Sequence, residues 1–253
     1  MAKLFVVSTP IGNLSDISPR AIEALKGADL ILAEDTRQTK KLLQHYSIKT
    51  PLISYHQHSK LKKVNHILQL LQQGKALALV SDAGTPGIAD PGNKLIAEIL
   101  KASDAHNPNG SASRVGEKVE IIPVPGPCAL TTAASVSGFP MDKFLFLGFP
   151  PVKKKRKKFF KQVINPPYPV ILYESPHRIL KTLAELNQES RIKNQELRVV
   201  VCRELTKLHE TIYRGTPAEV IEQINNQFSK GPPKGEFVII VKNHKTSVFS
   251  SNP

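Results

Sequence analysis

At 253 residues and 40% apolar content, the chain can bury one large core or two modest ones. No apolar run approaches the roughly 18 residues of a membrane span, and Met1-Ala2-Lys3 passes directly into strand-like sequence rather than a signal peptide, so a cytoplasmic location is expected. A formal charge of +14 points to a polyanionic partner, nucleic acid first, while two distant cysteines, Cys128 and Cys202, exclude a disulfide framework or zinc spacing.

The elements alternate along the chain. Leu4 to Val7 reads as a strand ending in Ser8-Thr9-Pro10-Ile11-Gly12-Asn13. Ser18 then Pro19 marks a helix start, with Ile22 and Leu25 on one face and Gly27 after the last turn. Leu30 to Ala33 is a second strand, leading into Glu34-Asp35-Thr36-Arg37. Leu61, Val64, Ile67, Leu68 and Leu71 form a helical stripe stopped at Gly74. The run Ala76 to Val80 opens into Ser81-Asp82-Ala83-Gly84-Thr85-Pro86-Gly87-Ile88-Ala89-Asp90-Pro91-Gly92, followed by a helix from Asn93 to Lys101. Lys101 to Lys118 has no periodicity and is expected to be a mobile polar loop. Val119 to Val124 is a further strand, ending in Pro125-Gly126-Pro127-Cys128.

A boundary is expected between Gly138 and Asp142, after which the alternation resumes. Val170 to Tyr173, Val199 to Cys202 and Phe237 to Val241 read as buried strands, with a helix marked by Ile179, Leu180, Leu183 and Leu186 between the first two. Thr216-Pro217-Ala218-Glu219 is a capping box leading into Val220, Ile221, Ile224 and Phe228. The pattern predicts two α/β domains, 1–140 and 141–245, with a cleft between them and a disordered tail over 246–253.

Each polar or Gly/Pro corner falls at the carboxyl end of a strand, where ligands bind in open α/β sheets. None reads as the dinucleotide fingerprint or a P-loop, so a different nucleotide-like ligand is needed. The 81–92 loop holds three glycines, two prolines and two carboxylates. Such a loop is stiff and nearly bare of side chains, so its chemistry comes from main-chain groups and Asp82. The run Lys153-Lys154-Lys155-Arg156-Lys157-Lys158 is expected to contact RNA phosphates, giving affinity without sequence readout. His56-Gln57-His58 lacks a third ligand, and no metal is expected.

Thr9-Pro10-Ile11-Gly12-Asn13-Leu14, Ala33-Glu34-Asp35-Thr36-Arg37, the 81–92 loop, Pro125-Gly126-Pro127, Tyr173-Glu174-Ser175-Pro176-His177-Arg178 and Arg203-Glu204-Leu205-Thr206-Lys207 occur in that order. Together they resemble the ribosomal RNA small subunit methyltransferase I family of the tetrapyrrole-methylase superfamily, from about Leu4 to Lys242. The resemblance implies two α/β domains of tetrapyrrole-methylase type with an interdomain cofactor cleft, a homodimer, and S-adenosyl-L-methionine as cofactor. It implies 2′-O-methylation of a decoding-centre cytidine in 16S rRNA, with the rRNA or the small ribosomal subunit as partner. By motif position, cofactor contacts fall on Pro10, Ser81, Asp82, Gly84, Thr85, Cys128, Ala129, Glu174 and Gly215. Two features depart from the family pattern: the 101–118 loop is longer, and the usual extension beyond the last strand is missing.

Methyl transfer to a ribose hydroxyl depends on positioning and on a base for the hydroxyl proton. Glu34, Asp35, His177 and Glu204 are the candidate bases, and Arg37, Arg178 and Arg203 are placed to hold phosphate or to keep a carboxylate ionised. For each Arg–Glu pair, a structural ion pair is the competing reading. A small-molecule methyltransferase acting on a tetrapyrrole and a non-catalytic RNA-binding protein are the alternatives at the level of the whole chain.

Overall fold

The computed structural model describes residues 2–56, 61–90, 92–104 and 119–243. The chain divides into two compact units, Met1–Cys128 and Ala129–Pro253.

In the first unit, β1 (Lys3–Val7), α1 (Pro19–Gly27), β2 (Leu30–Ala33), α2 (Thr36–His45), β3 (Leu52–Ser54), α3 (Leu61–Gln72), β4 (Ala76–Val80), α4 (Gly92–Asp104) and β5 (Glu120–Val124) alternate strand and helix. The strands form one parallel sheet in the order β3-β2-β4-β1-β5. Because every pairing is parallel, all the carboxyl ends lie along one edge.

The helices cover both faces of this sheet. Ala21, Ala24 and Leu25 of α1 pack with Leu42 and Leu43 of α2 on Val7, Ile31, Ala33 and Ala78. On the other face, Val64, Ile67 and Leu71 of α3 pack with Leu95 and Ile99 of α4 on Leu4, Leu32, Leu77 and Leu79. Neighbouring strand residues thus enter opposite cores, which is why the strands read as unbroken apolar runs. Along the order β3-β2-β4-β1 the helices that follow the strands alternate between the two faces, so the strand-end loops leave toward both sides of the sheet and open a crevice along its carboxyl edge.

Local signals set the helix ends. The Ser18 hydroxyl accepts the Ala21 amide at 3.2 Å with Pro19 in the first turn. Gly74 follows α3 at φ +80°, a left-handed conformation that glycine adopts without strain. Leu61, expected on the buried stripe, is 79% exposed at the start of α3. α4 runs on to Asp104, past the expected start of the polar loop, and residues 105–118 lie outside the described residues.

The second unit contains α5 (Ala129–Ser135), β6 (Leu145–Phe146), α6 (Arg156–Ile164), β7 (Val170–Glu174), α7 (Ile179–Ile192), β8 (Leu197–Arg203), β9 (Thr211–Gly215), α8 (Pro217–Gln227) and β10 (Phe237–Asn243). Its sheet order is β6-β7-β10-β8-β9, with only β6 and β7 parallel; β10 runs antiparallel to β7 and β8, as β9 does to β8. Phe160, Val163, Ile164, Ile179, Leu183, Leu186, Val220 and Ile224 from α6, α7 and α8 share one core with the strands.

This unit begins before the 138–142 segment where the sequence pattern put the boundary, because α5 packs against β10. The three buried strands were legible in the sequence, whereas β6 and β9 were not. β6 is two residues long, and β9 is an edge strand whose side chains alternate in exposure. α8 starts with the expected reciprocal cap: the Thr216 hydroxyl accepts the Glu219 amide, and the Glu219 carboxylate accepts the Thr216 amide. Residues 244–253, including the expected tail, lie outside the described residues.

Candidate active site

The loops leaving β1, β4 and β5 are stitched together at the carboxyl edge of the first sheet. Thr9 and Gly84 exchange backbone hydrogen bonds of 2.9 and 3.0 Å. The Thr85 hydroxyl donates to the Pro127 carbonyl at 3.1 Å and lies 3.0 Å from the Ser8 hydroxyl, while the Ser81 hydroxyl turns back to the Ala83 carbonyl at 3.3 Å. Gly84 sits at φ +82°, and a Cβ on it would approach Ile11 Cγ2 to 3.2 Å. Only glycine combines that dihedral with so close an approach. Pro10, Ser81, Gly84, Thr85 and Cys128 are thereby gathered along one edge, and Asp82 and Ala83 stay exposed.

The outer half of the loop fastens itself. Asp90 accepts the Gly87 and Gly92 amides, and the Asn93 side-chain amide donates to the Gly87 carbonyl at 2.8 Å.

Beside this seam stands an acidic cluster. The Asp82 carboxylate accepts the Asp35 amide at 2.7 Å, tying the end of β2 to the end of β4. Asp35 also caps α2, taking the Arg37 amide at 2.8 Å and the Arg37 guanidinium at 2.6 Å. Those bonds hold the Asp35 carboxyl down at about 2. Glu34, one residue earlier, is shifted the other way: burial raises its pKa, the negative charges of Asp82 and Asp90 raise it further, and the Asp82 amide only partly offsets them. Glu34 lines a small, shallow recess with Tyr55, Ser81, Pro86 and Asp90. Sequence reading missed Tyr55, a buried phenol just past β3, because an aromatic after a short strand carries no motif.

The candidates of the second unit are differently placed. The buried Glu174 carboxylate accepts the Ser175 amide at 2.8 Å, the Thr182 hydroxyl at 2.6 Å and the Arg178 guanidinium at 2.8 Å. Arg178 also donates to the Pro150 carbonyl at 3.0 Å. Arg203 is buried, donates to the Lys234 and His209 carbonyls at 2.6 and 2.8 Å, and lies over the Phe228 ring. Glu204 receives the Lys207 ammonium and the Glu236 amide, both at 2.9 Å; burial raises its pKa, but these partners outweigh it and the net shift is downward. His177 is exposed in the turn before α7. Ala129 and Gly215 have only main-chain polar groups to offer, and the side of Gly215 is taken by Glu219, whose carboxylate a Cβ would meet at 2.6 Å.

One expected RNA contact is corrected. Arg156 is only 6% exposed: its guanidinium holds the Glu185 carboxylate, the Thr182 hydroxyl at 3.0 Å and the Pro151 carbonyl at 2.7 Å, and it lies 5.1 Å from the Phe160 ring centroid. With its charge neutralised inside the unit, Arg156 fastens α6 to α7. Lys153, Lys154, Lys155, Lys157 and Lys158 are exposed.

Among the described residues, no helix is long and apolar enough to cross a membrane, and no three His, Cys, Asp or Glu side chains are grouped to hold a metal. His56 is described, while Gln57 and His58 lie outside the described residues.

A doubly wound parallel sheet with an acidic cluster at its carboxyl edge, followed in the chain by a second, mixed sheet, defines a two-unit α/β protein. The family profile for Tetrapyrrole (Corrin/Porphyrin) Methylases matches residues 3–221. The chain is 44% identical to the Ribosomal RNA small subunit methyltransferase I of Synechocystis sp., with 95% of this chain and 79% of the relative aligned. It is 42% identical to that of Thermotoga maritima, with 95% and 98% aligned. Among solved structures, the methyltransferase CobJ superposes with a TM-score of 0.65 at 17% identity, over 96% of this chain and 95% of that one. A cobalt precorrin-4 methyltransferase superposes with a TM-score of 0.61 at 18% identity, over 95% and 94%. The chain belongs to the ribosomal RNA small subunit methyltransferase I family of the tetrapyrrole methylases.

Proposed function

We propose that the chain transfers a methyl group from S-adenosyl-L-methionine to the ribose 2′-oxygen of a decoding-centre cytidine in 16S rRNA. The observation that carries the cofactor assignment is the charge along the carboxyl edge of the first sheet. In a chain of net charge +14, the corners 8–13, 81–92 and 125–128 contain no lysine or arginine, while Asp90 joins Glu34 at the recess and the Asp82 carboxylate acts on the same glutamate. Such a site disfavours a phosphate-bearing nucleotide and suits a ligand with a sulfonium and an ammonium group. Pro10 and Cys128 would offer main-chain groups to it, Gly84 close packing, and Asp82 a carboxylate. When bound, the cofactor supplies an electrophilic methyl group.

Of the three candidate carboxylates, Glu34 is the one whose surroundings favour proton uptake. Asp35 is held at about 2 by Arg37, and Glu204 is lowered by Lys207 and the Glu236 amide. Glu34 has a raised pKa and borders the recess beside the Ser81 to Gly92 loop. Its carboxylate would accept the 2′-hydroxyl proton as the oxygen attacks, a role worth about 10²–10⁴-fold in rate. The substrate class follows the name carried by relatives 42–44% identical, and the exposed lysines of 153–158 suit an RNA backbone.

The test is incubation with small ribosomal subunits lacking this methylation, using methyl-labelled cofactor and mapping the labelled nucleotide. Label on one cytidine ribose is expected; label on a base, or none on any ribosomal particle, overturns the reading.

A further inference from the structure

Phe149 is half exposed, with 52% of its surface open to solvent, on a loop that the fold holds still from both sides. Gly148, at φ +63°, turns the chain out of the sheet, and its carbonyl accepts the Tyr173 amide at 3.1 Å. The two carbonyls after Phe149 are each gripped by a guanidinium: Pro150 by Arg178 at 3.0 Å and Pro151 by Arg156 at 2.7 Å. Phe149 is therefore displayed by a pinned backbone. On its inner side it meets Tyr173 edge to face at 5.6 Å, and Tyr173 in turn meets Phe146 at 4.9 Å.

The surroundings say what this ring is displayed to. From Asp142 to Lys158 the sequence holds one acidic residue against six lysines and Arg156. Arg156 is spent internally, and Lys153, Lys154 and Lys155, four to six residues after the ring in the chain, are exposed. An aromatic face beside ammonium groups matches a single-stranded nucleic acid, whose bases stack while its phosphates pair with lysines. An acidic protein partner would use the lysines but would have no need of a rigidly presented ring.

We propose that Phe149 is a stacking platform for an unpaired base of the RNA substrate, on the strand whose backbone is held by Lys153 to Lys155. The inference rests on the RNA reading above and names the residue that distinguishes a single strand from a duplex.

The test measures binding of the full chain to a fluorescent single-stranded RNA oligonucleotide and to the matching duplex over a range of salt. Phe149→Ala is expected to weaken single-strand binding by about 5- to 150-fold and to leave duplex binding and the salt slope unchanged. Phe149→Tyr is expected to retain affinity, and Phe149→Leu to lose most of it, because the face of the ring matters and not apolar area alone. Thermal melts and sedimentation accompany each variant. Unchanged single-strand affinity in Phe149→Ala, full affinity in Phe149→Leu, or a changed oligomeric state in either overturns the platform. Those results leave the RNA reading standing, whereas a wild-type chain that binds neither RNA removes both.

Discussion

At the end of β2 the Glu34 carboxylate lies in the field of two other carboxylates, Asp82 and Asp90, whereas at the end of β7 Glu174 is met by a guanidinium, a hydroxyl and an amide. Both are glutamates at strand ends in motifs that also hold an arginine. The difference lies in what the neighbours do with the charge. In the second unit the motif acids are neutralised in place, Glu174 by Arg178 and Glu204 by Lys207, as Glu185 of α7 is by Arg156. Such pairs fasten loops and helices, and removing one partner leaves a buried charge unsatisfied. In the first unit Asp35 is likewise paired, with Arg37, but Glu34 has no such partner among the described residues and faces the charges of Asp82 and Asp90, which favour its protonated form. A strand-end carboxylate becomes chemically useful where the fold withholds its counter-ion.

The contrast breaks most sharply at Glu34. Glu34→Gln keeps shape and hydrogen bonding but cannot accept a proton, and kcat is expected to fall by about 10²–10⁴-fold with cofactor binding largely kept. In the wild type, activity should rise with pH through the raised pKa of Glu34, and that limb should vanish in the variant. The same substitution is expected to stabilise the chain at neutral pH. A carboxyl whose folded pKa is raised adds stability below its unfolded pKa and loses it as pH rises through the folded one, so at neutral pH the ionised Glu34 works against the fold. Unchanged turnover in Glu34→Gln would move the base elsewhere.

Next in size is the split inside the basic run. Arg156→Ala removes the partner of Glu185 and Thr182 at a site 6% exposed, and should cost about 3–5 kcal/mol in denaturant unfolding. Lys154→Ala, two residues away and exposed, should stay within about 0.5 kcal/mol of wild type and reduce the salt slope of RNA binding by about one. Equal effects of the two on stability would return Arg156 to the RNA-facing set.

Gly84→Ala tests the seam. The left-handed dihedral costs about 1–2 kcal/mol for a residue with a Cβ, and the added carbon would press on Ile11. Cofactor affinity measured by calorimetry should fall together with the melting temperature, because the loops from β1 and β4 meet at this residue. A stable Gly84→Ala chain with unaltered binding would separate the seam from the ligand site.

The first unit was legible because its rules are local and repeated. Buried strands, Gly/Pro corners and a capping serine at Ser18 each carry their own signal, and a parallel sheet then aligns every strand end by topology. What was not legible depends on partners far away in sequence. The Lys run looks uniform at 153–158, and only Glu185 and Thr182, brought close by the packing of α6 on α7, single out Arg156 as an internal residue. Glu34 and Asp35 are equivalent as adjacent acids in the sequence. Their separation arises from pleat and cap: Asp35 begins α2 and folds onto Arg37, while Glu34 points back among Asp82, Asp90 and Tyr55. β9 escaped notice because an edge strand buries too little of itself to leave a pattern.

The smallest expected effect compares those two neighbours directly. Asp35→Asn preserves a residue type suited to capping α2 but removes the charge that Arg37 pairs with. Because the Asp35 carboxyl is held at about 2 in the fold, its contribution is present above the ordinary carboxylate range and is lost as pH falls through that value. The variant should therefore be slightly less stable than wild type at neutral pH and converge with it toward pH 2. The pair is exposed, Arg37 to 87%, so solvent screening keeps the difference small and added salt should shrink it further. Glu34→Gln should deviate from wild type in the opposite direction at neutral pH. If melts of the two variants across pH shifted with the same sign, the opposed electrostatics of these adjacent acids, and with them the choice of Glu34 as base, would fail.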